Sequence, residues 1–209
     1  MKIAVICANG KAGKLIVKEA LDRNIDVTAV VRGENKSAAT KVIKKDLFDL
    51  TADDLKDFDI VIDAFGAWTE DTLPQHSTSL AHLCDILSGT DTRLLIVGGA
   101  GSLYVNPEHT ICVADGPDFP DMFKPLAAAM AKALGELRQR SDVKWTYISP
   151  AGDFQANGER TGEYILGGEE LTLNSKGESV ISYADYAVAM IDEAVSGNHI
   201  QERISVVRE

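Results

Sequence analysis

The chain has 209 residues, enough for one domain or for one domain with a small appendage. Hydrophobic residues make up 45%, sufficient for a buried core, and the net charge of −11 argues against nucleic acid or an anionic membrane as partner. No apolar run reaches membrane-spanning length, and Cys7, Cys84 and Cys112 are odd in number and scattered, which fits reduced intracellular thiols.

The chain opens straight into a strand, Ile3 to Ile6, without a leader pattern, so a cytoplasmic location is expected. A glycine turn follows, Cys7-Ala-Asn-Gly10-Lys-Ala-Gly13, and then a helix with Leu15, Ile16, Ala20 and Leu21 on one face. Val27 to Val31 is the second strand. Together they form a βαβ unit whose turn sits at the strand's carboxyl end, where a helix N-terminus offers free N–H groups to a phosphate. Gly10 lets the backbone approach closely and Gly13 lets the helix pack on the strand. The first glycine of the usual three is replaced by Cys7, which narrows the turn.

Beyond this unit, residues 33 to 40 are a polar connection and Lys41 to Lys45 a short strand. Thr51 to Asp57 is a capped helix, Asp59 to Ala64 a strand, Ser77 to Leu87 a helix and Arg93 to Val97 a strand. An irregular proline-bearing stretch runs to Pro125. It is followed by an alanine-rich helix from Leu126 to Arg140, a strand from Trp145 to Ser149, and a glycine-rich hairpin-like segment from 151 to 179. Ser182 to Asp185 is a capping box opening a helix to about Val195, and Arg203 to Val207 is a final strand. Strands alternating with helices give an α/β fold: a Rossmann-type doubly wound parallel sheet in one domain over residues 1–209. Residues 151–179 are expected to form a small lid or substrate region over the sheet's carboxyl edge.

In such sheets the ligand lies outside the carboxyl ends of the strands. A dinucleotide would therefore meet Asn9, Gly10, Lys11, Ala12 and Gly13 at the phosphates. Arg32, Lys36, Asp46, Leu47, Ala64, Phe65 and Gly66 would lie around the adenosine, and Gly99 and Pro150 near the nicotinamide. Arg32 follows the second strand, where an acid would select the ribose hydroxyl and an arginine a 2′-phosphate. NADP(H) is therefore favoured over NAD(H), with Glu34 as the competing ribose partner. Asp46 has two readings, an adenine amino partner or a loop cap.

Carbonyl reduction in this fold class uses Tyr-x-x-x-Lys. Four residues after Tyr104, Tyr147, Tyr164, Tyr183 and Tyr186 stand Glu108, Ala151, Gly168, Ala187 and Met190, so the dyad does not occur. Flavins and quinones need no strong protein acid, because catalysis is then mostly the positioning of two rings. Trp68, Phe154 and Tyr164 are candidate acceptor platforms, with core or lid packing as their ordinary use. Ser102, Tyr104 and Asp153 are candidate weak proton donors or orienters. The four histidines show no metal-ligand spacing.

The chain resembles the atypical short-chain dehydrogenases grouped as NADH-flavin reductases, which are similar to biliverdin IXβ reductase. The resemblance rests on Ala8 to Gly13 with Val30 to Arg32, on Gly98 to Leu103, and on Trp145 to Pro150. Arg160 to Tyr164 and Val180 to Ala187 extend it over the whole chain. It implies NADP(H) binding, reduction of FMN, FAD, riboflavin or another conjugated small-molecule acceptor, and Gly10, Gly13 and Arg32 as cofactor contacts. The group lacks the Tyr-x-x-x-Lys dyad. A monomer or homodimer is expected. The competing readings are a non-catalytic NADP(H)-sensing regulator and a dyad-less enzyme acting on a sugar-like substrate.

Overall fold

The computed structural model describes residues 1–209. The first unit is β1 (Lys2–Ile6), α1 (Lys11–Asp22) and β2 (Asp26–Val31). Then come β3 (Lys41–Lys44), α2 (Ala52–Leu55), β4 (Ile60–Asp63), α3 (Gln75–Leu87) and β5 (Arg93–Val97). They are followed by α4 (Lys124–Leu137), β6 (Lys144–Ser149), β7 (Asp153–Gln155) and β8 (Ile165–Gly167). The chain closes with β9 (Val180–Ser182), α5 (Tyr183–Ser196) and β10 (Glu202–Val207).

The main sheet runs β3-β2-β1-β4-β5-β6-β10-β8. Every neighbouring pair is parallel except β10 with β8. Its central strands are covered on both faces, which is why they read as unbroken apolar runs rather than alternating ones. Successive residues of β1 feed opposite cores. Ile3 and Val5 join Ile16, Ala20, Ala187 and Ile191 under α1 and α5, while Ala4 and Ile6 join Leu80, Leu83, Leu134 and Leu137 under α3 and α4. The strand order reverses between β1 and β4, and this opens a crevice at their carboxyl ends.

Helix limits differ slightly from the sequence expectation. Pro74 caps α3, so the helix starts at Gln75 rather than Ser77. Helix α4 stops short of Arg140, whose guanidinium is drawn off to Asp85 and Asp142 at 2.7 and 2.8 Å.

The segment from 151 to 179 departs from a simple lid. Pro150 to Gly152 and Phe154 border the crevice, but β7 pairs with β9 in a separate ribbon, and β8 adds to the main sheet as an antiparallel edge against β10. Tyr164 belongs to this edge rather than to the crevice. Its hydroxyl donates to Asp192 on α5 at 2.9 Å, and its ring packs on the core.

The two distant motifs Arg160–Tyr164 and Val180–Ala187 meet at Asp185. One of its carboxylate oxygens accepts from the backbone N–H groups of Thr161 and Gly162, both at 2.8 Å, and the other accepts from the Thr161 hydroxyl at 2.9 Å. Asp185 is fully buried while Thr161 and Gly162 lie at the surface, so truncation would lose three hydrogen bonds to a carboxylate and the tie between the two motifs. Asp185→Ala is expected to cost about 3 kcal/mol of unfolding free energy, read as a lowered urea midpoint.

Candidate functional site

The glycine turn is shaped by its own backbone. The Gly10 N–H donates to the Cys7 carbonyl at 2.9 Å, and α1 begins one residue later. Cys7 has a φ of 57°, the left-handed conformation that a glycine would take freely. The missing first glycine thus shows up as a strained residue rather than a closed site. Burial, with Asp63 nearby, pushes the Cys7 thiol up to about 12, so it stays a neutral thiol.

A cavity of about 1100 Å³ lies along the carboxyl ends of the strands. From the β1–β3 side it takes Asn9, Gly10, Lys11, Ala12, Arg32, Asp46 and Leu47. From the β4–β6 side it takes Ala64, Phe65, Gly66, Trp68, Gly99, Pro150 and Phe154. Gly13 sits behind this wall, against the carbonyl of Cys7 and the backbone of Ala8.

Asn9 is occupied structurally. Its amide donates to the Glu34 carbonyl at 2.8 Å, and its carbonyl accepts from the Lys36 N–H at 2.6 Å, which ties the loop after β2 to the turn. Lys36 thereby enters through its backbone, with its side chain outside the cavity wall. The Arg32 guanidinium is 82% exposed and stands 3.7 Å from the Asp46 carboxylate, open to an added anion. Asp46 also caps the turn after β3 by accepting from the Phe48 N–H at 3.0 Å, so its loop-cap role is present while one oxygen faces Arg32.

The three candidate proton donors fall away from the cavity. Ser102 accepts from Arg203 at 3.1 Å. Tyr104 stacks on His109 with ring centroids 4.5 Å apart, and the Arg203 guanidinium lies 5.5 Å from its centroid. Leu103 between them is fully buried, and the stretch is held by Tyr104 bridging to Cys112 and Glu170 and by Arg203 of β10 bonding Ser102. Asp153 is turned out by strand alternation. Phe154 faces the cavity, so its neighbour on β7 faces solvent and accepts from Gln155 at 2.7 Å.

In their place the fold delivers residues not singled out for the site from the sequence. Phe119 and Phe123 come from the irregular stretch before α4, Met130 from α4, His76 from α3 and Tyr183 from the start of α5. Tyr183 packs against Phe154 at 3.9 Å between centroids, and it supplies the one hydroxyl on the cavity wall. Burial raises its pKa, so it stays protonated at neutral pH. Burial lowers the His76 pKa, and the ring is held by its Nε2 to the Ala67 carbonyl at 3.0 Å, so it stands as a neutral imidazole. The aromatic residues flanking the prolines of the 98–125 stretch are the one sequence signal that could have pointed to this wall.

Asp63, at the carboxyl end of β4, is only 4% exposed and has no cationic partner. It accepts from the Phe65 N–H at 3.0 Å, and burial pushes it up to about 6. A raised carboxyl pKa means the folded state holds its proton longer than the unfolded chain. Stability is therefore greatest at low pH for this group and falls as pH rises from about 4 to about 6. Asp63→Asn keeps the acceptor oxygen and removes the ionisation. The variant is expected to flatten a loss of about 3 kcal/mol over that interval and to be the more stable protein above neutrality, by denaturant unfolding across pH.

The signature of the NAD(P)H-binding family matches residues 7–194. A Streptococcus pneumoniae structure, assigned provisionally as an NADH-flavin reductase, is 57% identical over the whole of both chains with a TM-score of 0.98. The protein YwnB of Bacillus subtilis, of uncharacterised activity, is 43% identical over 100% of this chain and 99% of its own. A short-chain dehydrogenase/reductase from Veillonella parvula, in complex with NADP, covers 99% of this chain and 94% of its own. It is 16% identical with a TM-score of 0.73, which shows the fold alone. The chain belongs to the NAD(P)H-binding family, on a Rossmann-type fold.

Proposed function

We propose that this member of the NAD(P)H-binding family is an oxidoreductase that passes hydride from NADPH to a flavin or a quinone-like ring. The observation that carries this is the division of one continuous cavity into two halves of opposite character. The β1–β3 side holds all three cations of the wall, Lys11, Arg32 and Lys45, and since Lys45 is held by Asp54 at 2.7 Å, Lys11 and Arg32 are the two left to meet an anion beside the N-terminus of α1. The β4–β6 side holds aromatic and apolar groups with no cation among them. The first half suits a diphosphate with an additional phosphate, and the second suits a planar conjugated ring.

Within that assignment, the backbone N–H groups of Lys11 and Ala12 hold the pyrophosphate, with Gly10 allowing its close approach, and Arg32 holds the 2′-phosphate. Leu47 lies against the adenine, and Gly99 and Pro150 border the nicotinamide. The dinucleotide supplies the hydride. Trp68, Phe154, Phe119 and Phe123 stack the acceptor and keep water from its reacting face. Tyr183 is the hydroxyl available to orient or protonate the acceptor. Its protonated state suits a ring that spreads its new charge and needs no strong acid. The flavin reductase assignment of the 57%-identical structure supports the same chemistry. The cavity's want of a lysine beside a tyrosine argues against ordinary carbonyl reduction.

Steady-state oxidation of NADPH in the presence of riboflavin, FMN and a naphthoquinone tests the proposal. Turnover above the uncatalysed rate with at least one of them is the expected result. Tight NADPH binding with no turnover on any of them would replace the enzyme by a nucleotide sensor.

A further inference from the structure

We propose that the acceptor half is built for an uncharged ring without a phosphate, so that riboflavin is preferred over FMN and FAD, and a neutral quinone over an anionic one. This rests on the hydride-transfer proposal above and deepens it. The side chains lining the β4–β6 side include no lysine or arginine. Two lysines that neighbour the lining residues in the chain are already engaged. Lys124, next to Phe123, is bound to Asp121 at 2.6 Å, and Lys132 on α4 is paired with Glu136.

Carboxylates, by contrast, frame the aromatic residues. Asp118 precedes Phe119 in the loop before α4, and Glu70 and Asp71 follow Trp68 in the loop after β4. All three are exposed. Trp68 itself is 70% exposed, so an incoming acceptor passes this acidic rim before reaching the ring platform. A phosphate carried on the acceptor would meet repulsion at the rim and no partner inside. The chain's overall charge of −11 acts in the same direction.

The test compares kcat/KM for riboflavin and FMN, and for a neutral naphthoquinone and its sulfonated derivative, at low and high ionic strength. The uncharged member of each pair should win by roughly tenfold at low salt, and the gap should shrink as salt screens the rim. The Glu70→Gln/Asp71→Asn double variant should narrow the gap at low salt and leave the uncharged acceptors unaffected. Equal or faster turnover of FMN, or a gap indifferent to salt and to the double variant, would overturn the inference. If flavins give no turnover but the quinones do, the flavin reading falls, and the quinone pair still decides the charge preference. If no acceptor of either class is reduced, both proposals fall together.

Discussion

Gly13→Ala is expected to cost about 3 kcal/mol of stability and to abolish measurable NADPH binding. A Cβ at this position would stand 2.6 Å from the Cys7 carbonyl oxygen and 2.9 Å from the Ala8 Cα. Both are backbone atoms, so neither can swing aside as a side-chain end would. To fit the methyl, α1 must move off β1. That movement withdraws the N–H groups of Lys11 and Ala12 from the crevice and further loads Cys7, already at a φ of 57°. The matching control is Gly135→Ala. Gly135 lies exposed within α4, and a Cβ added there would meet nothing within 4 Å. At that site the same methyl should stabilise the protein by about 0.5–1 kcal/mol through helix propensity. Opposite signs from one chemical change, measured by urea unfolding and calorimetric NADPH titration, would tie the cost at Gly13 to close packing rather than to glycine loss in general.

Arg32→Ala is expected to weaken NADPH binding by about 10- to 100-fold and to leave NADH nearly untouched, since one charge-assisted contact to a phosphate is worth about 1.5–3 kcal/mol. The guanidinium is exposed and its neighbour Asp46 stands at 3.7 Å, too far for a tight ion pair. Its removal therefore costs little folding stability, and the effect should fall on cofactor choice. Equal loss for both dinucleotides would point to a general disturbance of the crevice. An unchanged NADPH preference would return the 2′-position to another residue.

The βαβ opening was legible in the sequence because three local signals agreed: the apolar run Ile3 to Ile6, the glycine spacing, and the periodic face of α1. The parallel sheet followed from the alternation of strands with helices, and with it the set of loops at the carboxyl edge, while the strand order itself is read from the structure. The details that failed are those that depend on which way a loop turns after leaving its strand. Ser102 and Tyr104 stand directly after the Gly98–Gly101 turn in the sequence, yet with Leu103 buried between them and Arg203 bonding Ser102 they lie away from the cavity. Asp153 and Phe154 are adjacent and point to opposite sides, which no composition-based reading separates without the register of β7 on β9. Tyr164 reads as either an acceptor platform or a packing residue, and the structure has the second, just before β8, with its ring on the core and its hydroxyl bonded to Asp192.

Phe119, Phe123 and Tyr183 stayed hidden for the converse reason. They come from a loop without periodicity and from the first turn of a helix, and only the tertiary fold brings them to one wall. Cys7 is a mixed case. Its place in the motif is plain in the sequence, whereas the positive φ it adopts, a conformation that costs a non-glycine residue, shows only in the fold.

The most direct test of hydride transfer is an anaerobic single-turnover reaction of NADPH with riboflavin, repeated with NADPH deuterated at the transferred position. Direct transfer predicts loss of NADPH and bleaching of the flavin in equal amounts, at a rate lowered by deuterium. Binding of NADPH with no change in either absorbance would contradict transfer to the flavin, and the same result with a naphthoquinone in its place would leave a nucleotide-binding protein without chemistry.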